Sequence, residues 1–298
     1  MLSRIYRLRA ITPLHIGVGT GAGEIDLPIA REKSTGLPIA PGSAVKGVLR
    51  DGMDPNGNGP CKSRSAAEWT DLFGPAYSED VDRQGMLSFD DARLLAMPVR
   101  SLKGACAWIT CPFVLGRYVE ALSEAALGLP ALQATQIVAT NALLHQNVAI
   151  LEELDLQANG DVAQCRLREA WAEHLADAFL PPRQQGNAAR GAGDDFRRGF
   201  RERLAIVADE VFAFFAEVAT DTRARIRLGE NRVVANQALW YEENLPADSL
   251  LFGEWGAQKV RKATTVKQPT DALGLVRSQV LQLGGKATVG RGWIDFLV

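Results

Sequence analysis

Residues 4–11 read RIYRLRAI, and residues 14–51 read LHIGVGTGAGEIDLPIAREKSTGLPIAPGSAVKGVLRD. The first piece alternates. Tyr6, Leu8 and Ala10 fall on one face, Arg7 and Arg9 on the other. A period of two predicts a strand with one apolar and one basic face. Gly17, Gly19, Gly21 and Gly23 then form a loop. A dinucleotide fingerprint would start a helix inside such a string, so that the helix N-terminus meets a pyrophosphate. Here the string leads into Glu24-Ile25-Asp26-Leu27-Pro28, with no helix predicted for about twenty residues. That mismatch argues against a nucleotide-cofactor fold. A loop that lets a polymer backbone approach closely fits the string, and so does a plain mobile turn.

Leu27-Pro28-Ile29-Ala30 recurs as Leu37-Pro38-Ile39-Ala40, with a turn-like Glu32–Gly36 between. This predicts a hairpin, which the prolines confine to an edge or to irregular extended chain. AVKGVLRD after it predicts a short helix capped by Ser43. Further on, SAAEWTDLF and residues 117–127 and 163–179 are predicted helices, and 85–95 and 99–115 have strand character. Residues 181–195 carry almost no apolar side chain and are expected to be mobile. Phe196, Phe200, Leu204, Val207, Val211 and Phe215 predict one long helix. Residues 223–241 predict a strand, a turn at Gly229-Glu230-Asn231 and a second strand. A helix is expected over 269–283, then a glycine loop and a closing strand. This order predicts an α+β fold with an antiparallel or mixed sheet.

The chain has 298 residues, 47% apolar and 23% charged, which is ordinary for a folded protein. No apolar run reaches the about 18 residues of a membrane span. Four scattered cysteines suit a reducing cytosol better than a disulfide scaffold. They offer no paired zinc spacing. The net charge of −2 is unevenly spread: residues 1–50 carry +4, residues 255–298 carry +5 and the middle −11. If the termini meet, they form a basic face able to bind phosphate.

Three groups of residues carry candidate chemistry. Gly42-Ser43-Ala44-Val45-Lys46-Gly47, with Arg50 one turn on, offers backbone N–H groups, a hydroxyl and cations to a phosphodiester. It lacks the Lys placement of a triphosphate loop. A capped surface helix with a solvated Lys is the competing reading. Gly284-Gly285-Lys286 through Gly290-Arg291-Gly292 sets two cations among small residues, as non-specific RNA contact requires; a bland hairpin is the alternative. Asp26, a lone carboxylate between Ile25 and Leu27, can bind Mg²⁺ or act as a base, and His15 can serve as acid or base. Tyr241, Glu242 and Glu243 offer a further hydroxyl and carboxylates, or simply end a strand.

LHIG, the IDLPI.REK.TG.P..PGS..KG.LRD run, LFGP, MPVRSLKGACAWITCP, LWYEENLP and GGKATVGRGW together resemble the RAMP superfamily. Within it they resemble the repeated backbone subunit of the Cmr module, the type III-B CRISPR effector. The likeness spans nearly the whole chain and is weakest at 181–195. It implies one modified RRM-like (ferredoxin-like) domain over 1–298. Insertions would fall at roughly 52–84 and 116–222, and a projecting thumb hairpin within 181–241. It implies copies stacked along a guide CRISPR RNA, with other Cmr subunits as partners and no membrane. Bound target RNA would be cut at six-nucleotide intervals with Mg²⁺ or another divalent cation.

The family's catalytic Asp falls on Asp26, also the implied metal ligand, and its His on His15. Its Glu and Tyr fall within Tyr241–Glu243. RNA contacts fall on Gly17, Gly19, Gly42, Ser43, Lys46, Arg50, Lys286, Gly290 and Arg291. Three other readings stay open: a non-cleaving RNA filament subunit, a metal-independent guide-processing endoribonuclease using His15, and a small-molecule enzyme.

Overall fold

The structure, a computed structural model, describes residues 2–19, 25–59, 61–75, 84–122, 127–180, 187–228, 234–261 and 263–298. In chain order the first half contains β1 (Leu2–Ala10), β2 (Ile39–Ala40), α1 (Gly42–Gly52), α2 (Ala66–Phe73), β3 (Leu87–Phe89), β4 (Ala92–Ser101), β5 (Ala105–Thr110), α3 (Pro112–Leu122), β6 (Gln136–Val138) and β7 (Val148–Leu151). The second half contains β8 (Leu154–Ala158), α4 (Val162–Phe179), α5 (Asn187–Arg203), β9 (Leu204–Val207), α6 (Asp209–Val218), β10 (Arg223–Leu228), β11 (Val234–Glu242), β12 (Leu250–Ala257), α7 (Pro269–Leu275), β13 (Gln279–Gln282), a 3₁₀ turn (Ala287–Val289) and β14 (Trp293–Leu297). The expected α+β class holds.

One large sheet runs β13-β14-β1-β12-β4-β5-β9-β6-β8-β7, with β2 on β4 and β3 on β12. Ser101 of β4 also pairs with Leu151 of β7, so β4 through β7 close into a barrel-like ring. The sheet is open on the β13 side of β4. β10 and β11 stand apart as a two-stranded sheet.

β1 shows why its sequence alternates. Tyr6, Leu8 and Ala10 are wholly buried on one face. Arg7 and Arg9 point to the other, and that face is covered too. Arg7 donates to the Tyr118 hydroxyl at 2.9 Å. Arg9 donates to Asp248 at 2.8 Å, and its guanidinium stands 4.7 Å from the Phe196 ring centre. The termini do meet, since β1 pairs with both β12 and β14. These two arginines nevertheless serve packing, snorkelling their stems over apolar surface.

The structure corrects four local expectations. The stripe 196–215 is α5, β9 and α6 instead of one helix. Leu204–Val207 is a continuous apolar run, fully buried between parallel β5 and antiparallel β6. Pairing on both edges outweighs a helical period carried by the same residues. Residues 187–195, expected to be mobile, open α5, while 181–186 lie outside the described residues. The helix expected over 269–283 stops at Leu275, and β13 pairs with β14. Helix α3 begins at Pro112, which shortens the predicted strand 99–115.

The Leu27–Ala40 echo folds as the expected hairpin. Arg31 bridges Pro38, and Ile39 N–H donates to the Ala30 carbonyl at 2.9 Å. Helix α2 is capped by Ser65, which accepts from Glu68 N–H at 3.1 Å, while Glu68 reaches back to Arg64 N–H.

Candidate active site

The end of β11 organises the site. Leu27 N–H donates to the Tyr241 carbonyl at 3.1 Å, and Glu243 N–H donates to the Leu27 carbonyl at 3.0 Å. This parallel bridge lays the Asp26–Arg31 segment along Tyr241–Glu243. Tyr241 N–H then donates to Asp26 Oδ2 at 2.8 Å. Asp26 is exposed. No described group donates to its Oδ1. Further along the same edge, His15 Nδ1 lies 2.7 Å from the Glu243 carbonyl. A carbonyl only accepts, so Nδ1 carries the proton. Nε2 faces Gly17, where a Cβ would sit 2.8 Å away, so a side chain there would crowd it. His15, Asp26 and Tyr241–Glu243, distant in sequence, are therefore held by one backbone ladder. The Tyr241 side chain is exposed.

The two glutamates are occupied. Glu242 accepts from Trp240 Nε1 and Lys286 Nζ, each at 2.8 Å, and from Arg225 Nε at 3.2 Å. Burial works to raise its pKa, but these donors outweigh it and hold the carboxyl at about 2. Glu243 accepts from Ile29 N–H at 3.0 Å and from Arg31 Nη2 at 2.5 Å. Both carboxylates are almost wholly buried, so neither faces an incoming ligand.

Among the described residues, no group of three or more His, Cys, Asp or Glu is placed to hold a metal ion. Mg²⁺ is commonly bound by one or two carboxylates together with substrate phosphates. The exposed Asp26 oxygen fits that arrangement as a single protein ligand.

The glycine loops divide by role. Gly284 has φ +84°, and a Cβ there would lie 2.2 Å from the His15 carbonyl; Gly285 N–H donates to that carbonyl at 2.9 Å. This half of the loop seats His15. Gly19 and Gly290 also have positive φ, with open space where a Cβ would be. They leave room for a backbone to approach. Gly42 is demanded by packing, because its Cβ would meet the Phe89 carbonyl at 2.1 Å. Ser43 is exposed but makes no cap; the cap position is Pro41, and Gly42 N–H donates to Asp91 Oδ1 at 2.8 Å.

The cations divide likewise. Arg50 donates to the Phe73 and Gly74 carbonyls and stacks 4.1 Å from the Trp69 ring centre, so it anchors α2. Lys46 is half-buried; burial, then the Arg50 charge, lower its pKa. Lys286 has left-handed backbone and pairs with Glu242. Arg291 is buried 3.6 Å from Asp221, and its Nε has no hydrogen-bond partner. Burial, then Arg223, lower its pKa. Arg223, Arg225, Lys286 and Arg291 thus surround two carboxylates, leaving positive charge at the base of the β10–β11 hairpin.

Arg31, Asp221 and Arg225 were not among the sequence candidates. Arg31 sits in the LPIA echo, but its partner Glu243 is 212 residues away.

A sequence profile of the RAMP superfamily matches residues 7–295. The chain belongs to the RAMP superfamily. Two full-length relatives are Cmr4 proteins. It is 31% identical over 300 residues to the CRISPR system Cmr endoribonuclease Cmr4 of Pyrococcus furiosus, covering 99% of this chain and 95% of that one. It is 25% identical over 305 residues to the CRISPR system CMR subunit Cmr4 of Saccharolobus solfataricus, covering 97% and 94%. The crystal structure of oligomeric Cmr4 from Pyrococcus furiosus superposes with a TM-score of 0.70 at 25% identity, covering 98% and 96%. The fold also matches a chain of type III-B Cmr-beta bound to cognate target RNA, with a TM-score of 0.68 at 18% identity, covering 100% and 97%. The kinship implied by the motifs is borne out. Among the described residues no helix is long and apolar enough to cross a membrane.

Proposed function

We propose that this chain is the backbone subunit of a type III-B CRISPR effector, binding guide RNA in successive copies and cutting the paired target RNA. The observation that carries this is the placement of exposed Asp26 and of His15 along one edge of the same strand end, through Tyr241 and Glu243. The endoribonuclease name of the 31% identical relative supports it.

The antiparallel order β14-β1-β12-β4 supports an RRM-like core, with α1 between β1 and β4 and α7 between β12 and β14. The separate β10–β11 hairpin is the proposed thumb. Ile226, Leu239 and Tyr241 share one of its faces and are 53%, 54% and 43% exposed. Such a face suits insertion between stacked bases.

Base pairing supplies sequence recognition, so the protein needs shape and phosphate contacts only. RNA brings its own nucleophile. In a stacked duplex the 2′-oxygen is out of line with the 5′-oxygen leaving group, and splaying one nucleotide aligns them. Asp26 Oδ1 accepts the 2′-hydroxyl proton as the 2′-oxygen attacks phosphorus and the P–O5′ bond breaks, and His15 in its imidazolium form gives its Nε2 proton to the departing 5′-oxygen. The products are a 2′,3′-cyclic phosphate and a 5′-hydroxyl. A divalent cation held by Asp26 and RNA phosphates would neutralise charge there. The test is the assembled complex with guide and labelled target. Cuts six nucleotides apart that disappear in Asp26→Asn and on chelation are expected; unchanged cutting by Asp26→Asn overturns the assignment.

A further inference from the structure

We propose that Glu243, clamped by Arg31, is the positioning residue of this site: it sets His15 against Asp26 and exchanges no proton. The inference rests on the cleavage reading above. Every polar atom of Glu243 is engaged with the two segments that carry the chemical groups. Its N–H donates to Leu27, next to Asp26, and its carbonyl accepts from His15 Nδ1. Its Oε2 accepts from Ile29 N–H, and its Oε1 from Arg31.

The side chain is 3% exposed, so neither carboxylate oxygen faces RNA. Arg31 extends the clamp. Its Nη1 donates to the Gly36 carbonyl at 2.8 Å and to the Ala216 carbonyl at 3.0 Å. The guanidinium therefore ties the hairpin turn and the last turn of α6 to the same carboxylate, in the forked geometry that arginine provides and lysine does not. Displacing a reacting group by about 1 Å costs on the order of 10²-fold in rate.

The experiment uses the complex reconstituted from the full chain, guide RNA and partner subunits. Target affinity and single-turnover cleavage across pH are measured for wild type, Glu243→Gln, Arg31→Ala, the double variant and Asp26→Asn. Both single variants are expected to cut about 10- to 100-fold more slowly at unchanged target affinity. The double variant is expected to be no slower than the slower single one, because the two residues act as one unit. The shape of the pH–rate profile is expected to stay that of wild type. Wild-type rates in Arg31→Ala or Glu243→Gln overturn the proposal, and so does loss of one limb of the profile, which would make Glu243 an acid or base. If Glu243→Gln does not assemble, Arg31→Ala decides alone, since it leaves the Glu243 bond to Ile29 in place. Wild-type cutting by Asp26→Asn is a different outcome: it removes the cleavage reading itself.

Discussion

The backbone N–H of Tyr241 holds Oδ2 of Asp26 at 2.8 Å. One oxygen of the carboxylate is fixed, and the other stays open. Asp26→Asn preserves size and can still accept from Tyr241, but loses the charge. It is expected to assemble with guide RNA and to cut target at least about 10²-fold more slowly. Gel analysis of cleaved target beside a guide-binding assay reads the two effects separately.

Lys46 and Arg50 stand on the same face of α1, and only one has an internal anchor. Arg50→Ala is expected to lower folding stability by about 1–2 kcal/mol, through loss of the Trp69 stack and the carbonyl contacts, as thermal unfolding will show. Lys46→Ala is expected to leave the melting temperature alone. It should weaken guide binding and reduce the slope of log affinity against log salt by about one.

Gly284→Ala and Gly290→Ala form a matched pair with φ of +84° and +77°. Only the first drives a Cβ into the His15 carbonyl. Gly290→Ala is expected to cost about 1 kcal/mol, the left-handed backbone penalty alone. Gly284→Ala is expected to cost about 3 kcal/mol and to slow cleavage by moving His15. Denaturant unfolding with parallel cleavage assays checks both.

Glu32 and Glu242 both have carboxyls held at about 2. For Glu32 the first cause is the pair of Arg117 hydrogen bonds at 2.7 and 2.8 Å. A pKa lower in the folded chain than in the unfolded one adds stability above the ordinary value of 4.5, lost as pH falls through that value toward 2. Urea unfolding at pH 7 and at pH 3 is expected to show a smaller acid loss for Glu32→Gln than for wild type, by about 2 kcal/mol at most. Equal losses would remove Glu32 from the acid response.

What the sequence disclosed was local. The period of two in β1, the repeated LPIA of the hairpin and the lone carboxylate of Asp26 each lie within one short window. What it hid depends on distant partners. Leu204–Val207 becomes a strand because β5 and β6 flank it, and nothing within its own window says so. Gly42 looked like an anion-binding turn; the Phe89 carbonyl beside it explains the glycine. Arg50 looked like an RNA contact until Trp69 and the end of α2 closed over it. Glu242 and Glu243 looked alike as acids, and only the fold shows that donors fill both.

The place of β1 between β12 and β14 bears on how the chain is made. Arg7 pairs with Phe252 on one edge and with Leu297 on the other. β1 therefore waits for β12 and β14, both made long after it, before either edge is satisfied. Until then it presents unpaired backbone and an apolar face, the pattern that invites wrong partners. Closing such long loops is slow. The open half of the sheet can form only after β12 and β14 have been made. The ring from β4 to β9 draws on residues 92–207 and has no such wait. It is the part able to fold during synthesis, with β4 as the template on which the open half later assembles.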